Sequence, residues 1–136
     1  MVSAGSGDTI SRNSIYANGP SNTGPGITIS TGANNGIVAP SLTSATLSGS
    51  TLTVKGSFTA PTANVSYVLE FFANPIGDAE GRIYLGSLTV TPTSTGTQNF
   101  TFTTTTTVTG MYPLITATLT DNSGDTSEFS NGVPVS

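Results

Sequence analysis

The sequence predicts an all-β protein, a sandwich of about seven antiparallel strands preceded by an extended N-terminal segment, and three observations carry that prediction. Short stretches alternate apolar and polar residues with period two: Leu52, Val54, Gly56 and Phe58 share one face, while Thr53, Lys55 and Ser57 share the other. Turn formers such as Gly49-Ser50, Asn74-Pro75 and the run from Asp121 to Asp125 separate these stretches at short intervals. Charged residues make up only 7% of the chain while Thr and Ser abound, which suits pleated, half-buried strands and leaves too little Glu and Lys for helix surfaces.

Taken in order, residues 1–36 stand apart. They are rich in Gly, Asn and Ser, and their apolar positions, Ile10, Ile15 with Tyr16, and Ile27 with Ile29, are separated by turn formers. The run GDTISRNSIYANG resembles one rung of a right-handed parallel β-helix, which buries its apolar face only against a neighbour. Such a segment is the last coil of a longer β-helix, an added strand on the sandwich or on another copy, or a loosely ordered linker.

Residues 37–136 form the second unit. The first two strands are expected at residues 42–47 and 51–58. The third, at 66–73, is apolar on both faces: Tyr67, Leu69 and Phe71 on one, Val68 and Phe72 on the other. A strand of that kind is covered on both sides, so Val68 and Phe72 need a cover beyond the sandwich core. Further strands follow at 82–91, at 98–107 with Phe100 and Phe102 inward, at 114–121 with Ile115, Ala117 and Leu119 on one face, and at 126–135. Seven strands with short polar turns make an immunoglobulin-like or fibronectin-like sandwich the expected fold.

Composition excludes several functions. The 136 residues carry a net charge of −4 with only Arg12, Lys55 and Arg82 positive, so no basic stripe exists for nucleic acid or anionic lipid. There is no His and no Cys, which removes Ser-His-Asp catalysis, His or thiolate metal sites and disulfides. No stretch approaches the ~20 apolar residues of a membrane span. Residues 1–10 lack the basic start and apolar middle of a signal peptide, so an export signal would lie outside this chain.

The pieces NSIYANG, GANNG, LTSAT, YVLEFFANP and TATLTDNSGDTSEFS together resemble a recurrent arrangement in large exported bacterial proteins, in which an Ig-like sandwich follows a right-handed β-helix region. The similarity runs from about Gly7 to Ser130. It implies a secreted or cell-surface setting and a structural, adhesive or assembly role, and it supplies no catalytic residues. In that family the loop after FFANP often holds Cys; residues 76–81 hold none, so no disulfide staples that loop here.

Few residues invite chemistry. Asp121, Asp125 and Glu128, with Ser123, offer oxygen ligands for Ca²⁺ at a hairpin, although Asx residues at tight turns more often bond their own backbone. Asp78 and Glu80 read as a solvated pair. Glu70, mid-strand among apolar residues, is expected to form a buried ion pair with Arg12 or Arg82 rather than act as a glycosidase acid. Lys55, Glu70 and Asn131 are of the types that make intramolecular isopeptides, but the parity of Lys55 points it outward, away from the desolvation such a lysine needs. Asn64-Val65-Ser66 and Asn99-Phe100-Thr101 are formal N-glycosylation triplets. The expected role is a non-catalytic module that self-associates through its N-terminal strand segment. The alternative is a glycan-binding module of a β-helix enzyme, using exposed Tyr84 or Tyr112 to stack sugar rings.

Overall fold

The structure, a computed structural model, describes residues 1–18, 24–107 and 110–136; residues 19–23 of the expected N-terminal unit lie outside the described residues. Among the described residues seven strands form: β1 (Ser41–Ser48), β2 (Thr51–Ala60), β3 (Tyr67–Asn74), β4 (Ile83–Val90), β5 (Gly96–Thr105), β6 (Leu114–Thr120) and β7 (Val133–Pro134). They make two antiparallel sheets, ordered β1-β2-β5 and β4-β3-β6-β7, in a sandwich-like arrangement.

The period-two pattern decides which side chains meet. Leu52, Val54 and Phe58 of β2 and Phe100 and Phe102 of β5 face Tyr67, Leu69 and Phe71 of β3 and Ile115, Ala117 and Leu119 of β6 across one core. Phe71 sits at its centre, stacked on Phe102 with ring centroids 4.1 Å apart and edge-on to Phe100 at 5.8 Å. The Tyr67 hydroxyl closes one end, accepting from Thr62 N at 3.1 Å and donating to Thr62 O at 3.0 Å. Gly56 is dictated by close approach: a Cβ there would lie 2.4 Å from Ser41 O and 2.9 Å from the Phe100 ring.

The last strand differs from expectation. Instead of a continuous strand over residues 126–135, Thr126 makes one bridge to Thr120 and only Val133–Pro134 pairs with β6. Between them the hydroxyls of Ser127 and Ser130 stand in for backbone carbonyls, accepting from Leu119 N and Ala117 N at 2.9 Å each. Ser127 N and Ser130 N donate to the carbonyls of the same two β6 residues. Bonding through side chains lets the chain leave strand geometry between the two serines, and Phe129 packs edge-on against Phe72 at 5.6 Å.

Phe72 belongs to the outer face of the four-stranded sheet, and residues of the N-terminal segment supply the cover that face was expected to need. Ile15 pairs with Gly81 through two backbone hydrogen bonds of 2.7 and 2.8 Å, and Ile27 is buried. Gly81 and Gly26 sit where a Cβ would run into the Phe129 ring, at 2.6 and 2.9 Å, so glycine at both positions is what lets this second apolar layer close.

Candidate functional site

Outside the core, the densest polar chemistry lies where residues 7–18 and 27–35 cross the outer face of the four-stranded sheet. Five of the seven acidic residues point into this seam, and each accepts hydrogen bonds from the N-terminal segment. Glu70, on β3, takes Ser11 Oγ at 2.5 Å and Arg12 N at 2.9 Å. Asp125 takes Gly7 N at 2.6 Å on one oxygen and Asn35 Nδ2 at 2.6 Å on the other. Asp78 accepts from Ala17 N at 3.2 Å, and Glu128 from Ile29 N at 2.8 Å. Glu80 accepts from Asn18 N at 3.3 Å and Asn18 Nδ2 at 2.7 Å.

This arrangement follows from composition. An arm of Gly, Asn and Ser has few side chains to bury but a full set of backbone N–H groups, and every buried one needs an acceptor. Carboxylates are the strongest acceptors available, each such bond contributing about 1.5–3 kcal/mol. Left-handed backbone at Arg12 (φ 52°) and Ala17 (φ 58°) accompanies the bonds to Glu70 and Asp78, and strain of that kind persists only where surrounding contacts over-determine it.

The expected ion pair of Glu70 is corrected here. Arg12 offers Glu70 its backbone N–H, while its guanidinium lies 5.6 Å from the centre of the Tyr84 ring. Arg82 lies over Tyr16 at 4.4 Å and near Tyr112 at 5.2 Å. A short basic side chain count of three leaves the two arginines better placed on aromatic faces, where no second charge has to be desolvated.

Asp78 and Glu80 are not solvated. They are 6% and 2% exposed, because the loop after β3 folds under the arm and Thr116 Oγ1 of β6 donates to Glu80 O. Burial, with the Asp78 carboxylate alongside, holds Glu80 above the usual carboxylate range, and the two Asn18 donors pull it the other way. Asp78 Oδ1 is buried with no hydrogen-bond partner.

Asn34, which lies in the run GANNG, is a second clasp. It is fully buried with φ 46°; its Oδ1 accepts from Asp8 N at 3.0 Å, and its Nδ2 donates to Asp8 O at 2.9 Å and Thr126 O at 3.1 Å. The signal available was the Asn-Asn-Gly run, since Asn tolerates left-handed backbone better than most residues.

Of the calcium candidates, Asp121 closes its own turn, accepting from Ser123 N at 2.9 Å and Asp125 N at 3.0 Å, while Asp125 and Glu128 reach different parts of the arm. Among the described residues no three His, Cys, Asp or Glu side chains gather as a metal would require. Lys55, Glu70 and Asn131 are not brought together either. Lys55 is exposed on the three-stranded sheet, Glu70 lies under the arm on the other, and Asn131 exchanges two hydrogen bonds with the backbone of Leu42 at 2.9 and 3.0 Å. A cleft of about 170 Å³ opens at one end of the core, lined by Ile37, Val38, Pro61, Tyr67 and Leu119, with Asp121 as its carboxylate. No protein-family model and no curated protein matches this chain.

Proposed function

We propose that the chain is a non-catalytic structural module of an exported bacterial protein, an Ig-like sandwich to which the N-terminal segment is fastened as a β-helix-like coil. The observation that carries this reading is the use of five carboxylates as acceptors for the arm, which commits the chain's acidic groups to holding one segment in place. The coil reading draws support from a parallel bridge between Val2 and Ile29 and from Asn34 N donating to Gly5 O, which together return the chain beside itself.

The glycan-binding alternative would use Tyr84 or Tyr112. Both rings lie against an arginine, which leaves less aromatic face for a sugar. Amide hydrogen exchange on the full chain tests the junction. Protection at Gly7, Ile10, Arg12 and Ile15 comparable to that of β3 is the expected result; exchange at loop rates at those four amides would overturn it. Glycan binding abolished by Tyr84→Ala or Tyr112→Ala would favour the alternative.

A further inference from the structure

Three of the four edges of the two sheets are blocked. The outer side of β1 is taken by the C-terminal residues, with Leu47 N donating to Ser136 O and Ser136 N to Ala45 O, both at 3.0 Å. The edge strand β7 is two residues long and includes Pro134. The edge strand β4 carries a register shift where Leu85 is skipped, with Gly86 at φ 148°. These are the devices by which sheet edges avoid pairing with other chains. The fourth edge, β5, has none of them. It runs ten residues without proline, charge or bulge, in unbroken register with β2 from Thr51↔Thr105 to Ala60↔Gly96.

The pairing pattern shows which groups β5 offers. Thr106 N bonds to Ser50 O, so by antiparallel alternation the even-numbered residues of β5 exchange bonds with β2. The N–H and C=O groups of Thr97, Asn99, Thr101, Thr103 and Thr105 therefore point away from the sheet, and all five residues are exposed. This set maps onto itself about Thr101.

We infer that β5 is the docking edge for a second copy of this chain, the two β5 strands pairing antiparallel about Thr101 into one continuous six-stranded sheet. In that register Thr97 meets the second copy's Thr105, Asn99 its Thr103 and Thr101 its own counterpart, each pair exchanging two backbone hydrogen bonds. No charge meets a charge. The nearest, Lys55, is the cross-strand neighbour of Thr101 one strand inward, so the two copies' lysines stand three strand spacings apart, about 14 Å, beyond the screening length at physiological salt. A second copy presents the same uncharged ten-residue edge, so each outward N–H and C=O group of one β5 meets a counterpart on the other with no like charges facing. The inference concerns a surface remote from the acidic seam and stands whether or not the junction reading does.

Light scattering on the full chain over about 1 µM to about 1 mM tests it, with Thr101→Glu and Thr101→Lys as variants. The wild type is expected to approach twice its monomer mass as concentration rises. Each variant alone, with like charges facing across the two-fold, is expected to associate at least about tenfold more weakly, and an equimolar mixture of the two to associate again. Lys55 beside Thr101 favours the glutamate, which makes Thr101→Glu the safer variant for folding. A wild type that stays monomeric throughout, or variants that associate as the wild type does, would overturn the inference. If neither variant folds, amide exchange on the wild type decides: protection that falls on dilution at Thr97, Asn99, Thr101, Thr103 and Thr105 but not at Phe100 and Phe102 supports the edge pairing, and dilution-independent exchange overturns it.

Discussion

Asn34→Ala removes three hydrogen bonds at a site with no access to water, and its magnitude can be built from the geometry. The bonds to Asp8 N, Asp8 O and Thr126 O contribute about 1 kcal/mol each on balance, giving about 3 kcal/mol. Alanine at φ 46° adds about 1 kcal/mol of backbone strain, for a total near 4 kcal/mol. Asn34→Gly separates the two contributions, because it loses the same bonds without the strain and should cost about 1 kcal/mol less than the alanine. Urea unfolding followed by intrinsic tyrosine fluorescence reads both, with the slope of free energy against urea reporting whether the arm still unfolds with the sandwich. A lower slope with a smaller loss would mean that the arm detaches alone, which amide exchange at Gly7 and Ile10 would show directly. The reasoning fails if both variants lose less than about 1 kcal/mol with the slope unchanged, since Asn34 would then hold nothing together.

Three further outcomes follow from the structure. Because the pKa of Glu80 is raised in the folded protein, its contribution is present in full below the ordinary value of 4.5 and is lost as pH rises through the folded value, so thermal stability should decline over that window. Asp78→Asn, which removes the neighbouring charge, should flatten the decline, and melting curves across a pH series check both. Gly81→Ala drives a methyl group to 2.6 Å from the Phe129 ring and should destabilise by about 1–3 kcal/mol in thermal unfolding. Phe71→Ala empties the stacked site against Phe102 and should cost about 3–5 kcal/mol by urea unfolding.

The strands were legible because their signal is local. Leu52 to Phe58 alternate within seven residues, and Tyr67, Leu69 and Phe71 announce their shared face without reference to anything distant. The double-sided apolar character of β3 even foretold a second cover. What could not be read was the chemistry of that cover. Glu70 bonds to a backbone amide 58 residues away and Asp125 to one 118 residues away. A backbone N–H belongs to every residue but proline, so it leaves no mark in the sequence, whereas a basic partner does; hence the expectation that Glu70 pairs with an arginine. The broken last strand has a similar cause: Ser127 and Ser130 replace carbonyls as acceptors, and a serine in a turn-rich segment is indistinguishable by type from one that spans a ladder.

The same chemistry explains why the arm is held so specifically. An apolar arm would adhere through area, and area tolerates sliding, because the hydrophobic effect is non-directional. Here the apolar anchors are few, Ile15 close to Phe129 beside Gly26 and the buried Ile27, so position is set by bonds that work only at one register. Shifting the arm by one residue would take Arg12 N from Glu70, Ala17 N from Asp78 and Gly7 N from Asp125 together, leaving buried or half-buried carboxylates without donors at about 1–3 kcal/mol or more apiece. The acidic seam thus fixes one registered geometry between arm and sheet as well as stabilising their contact.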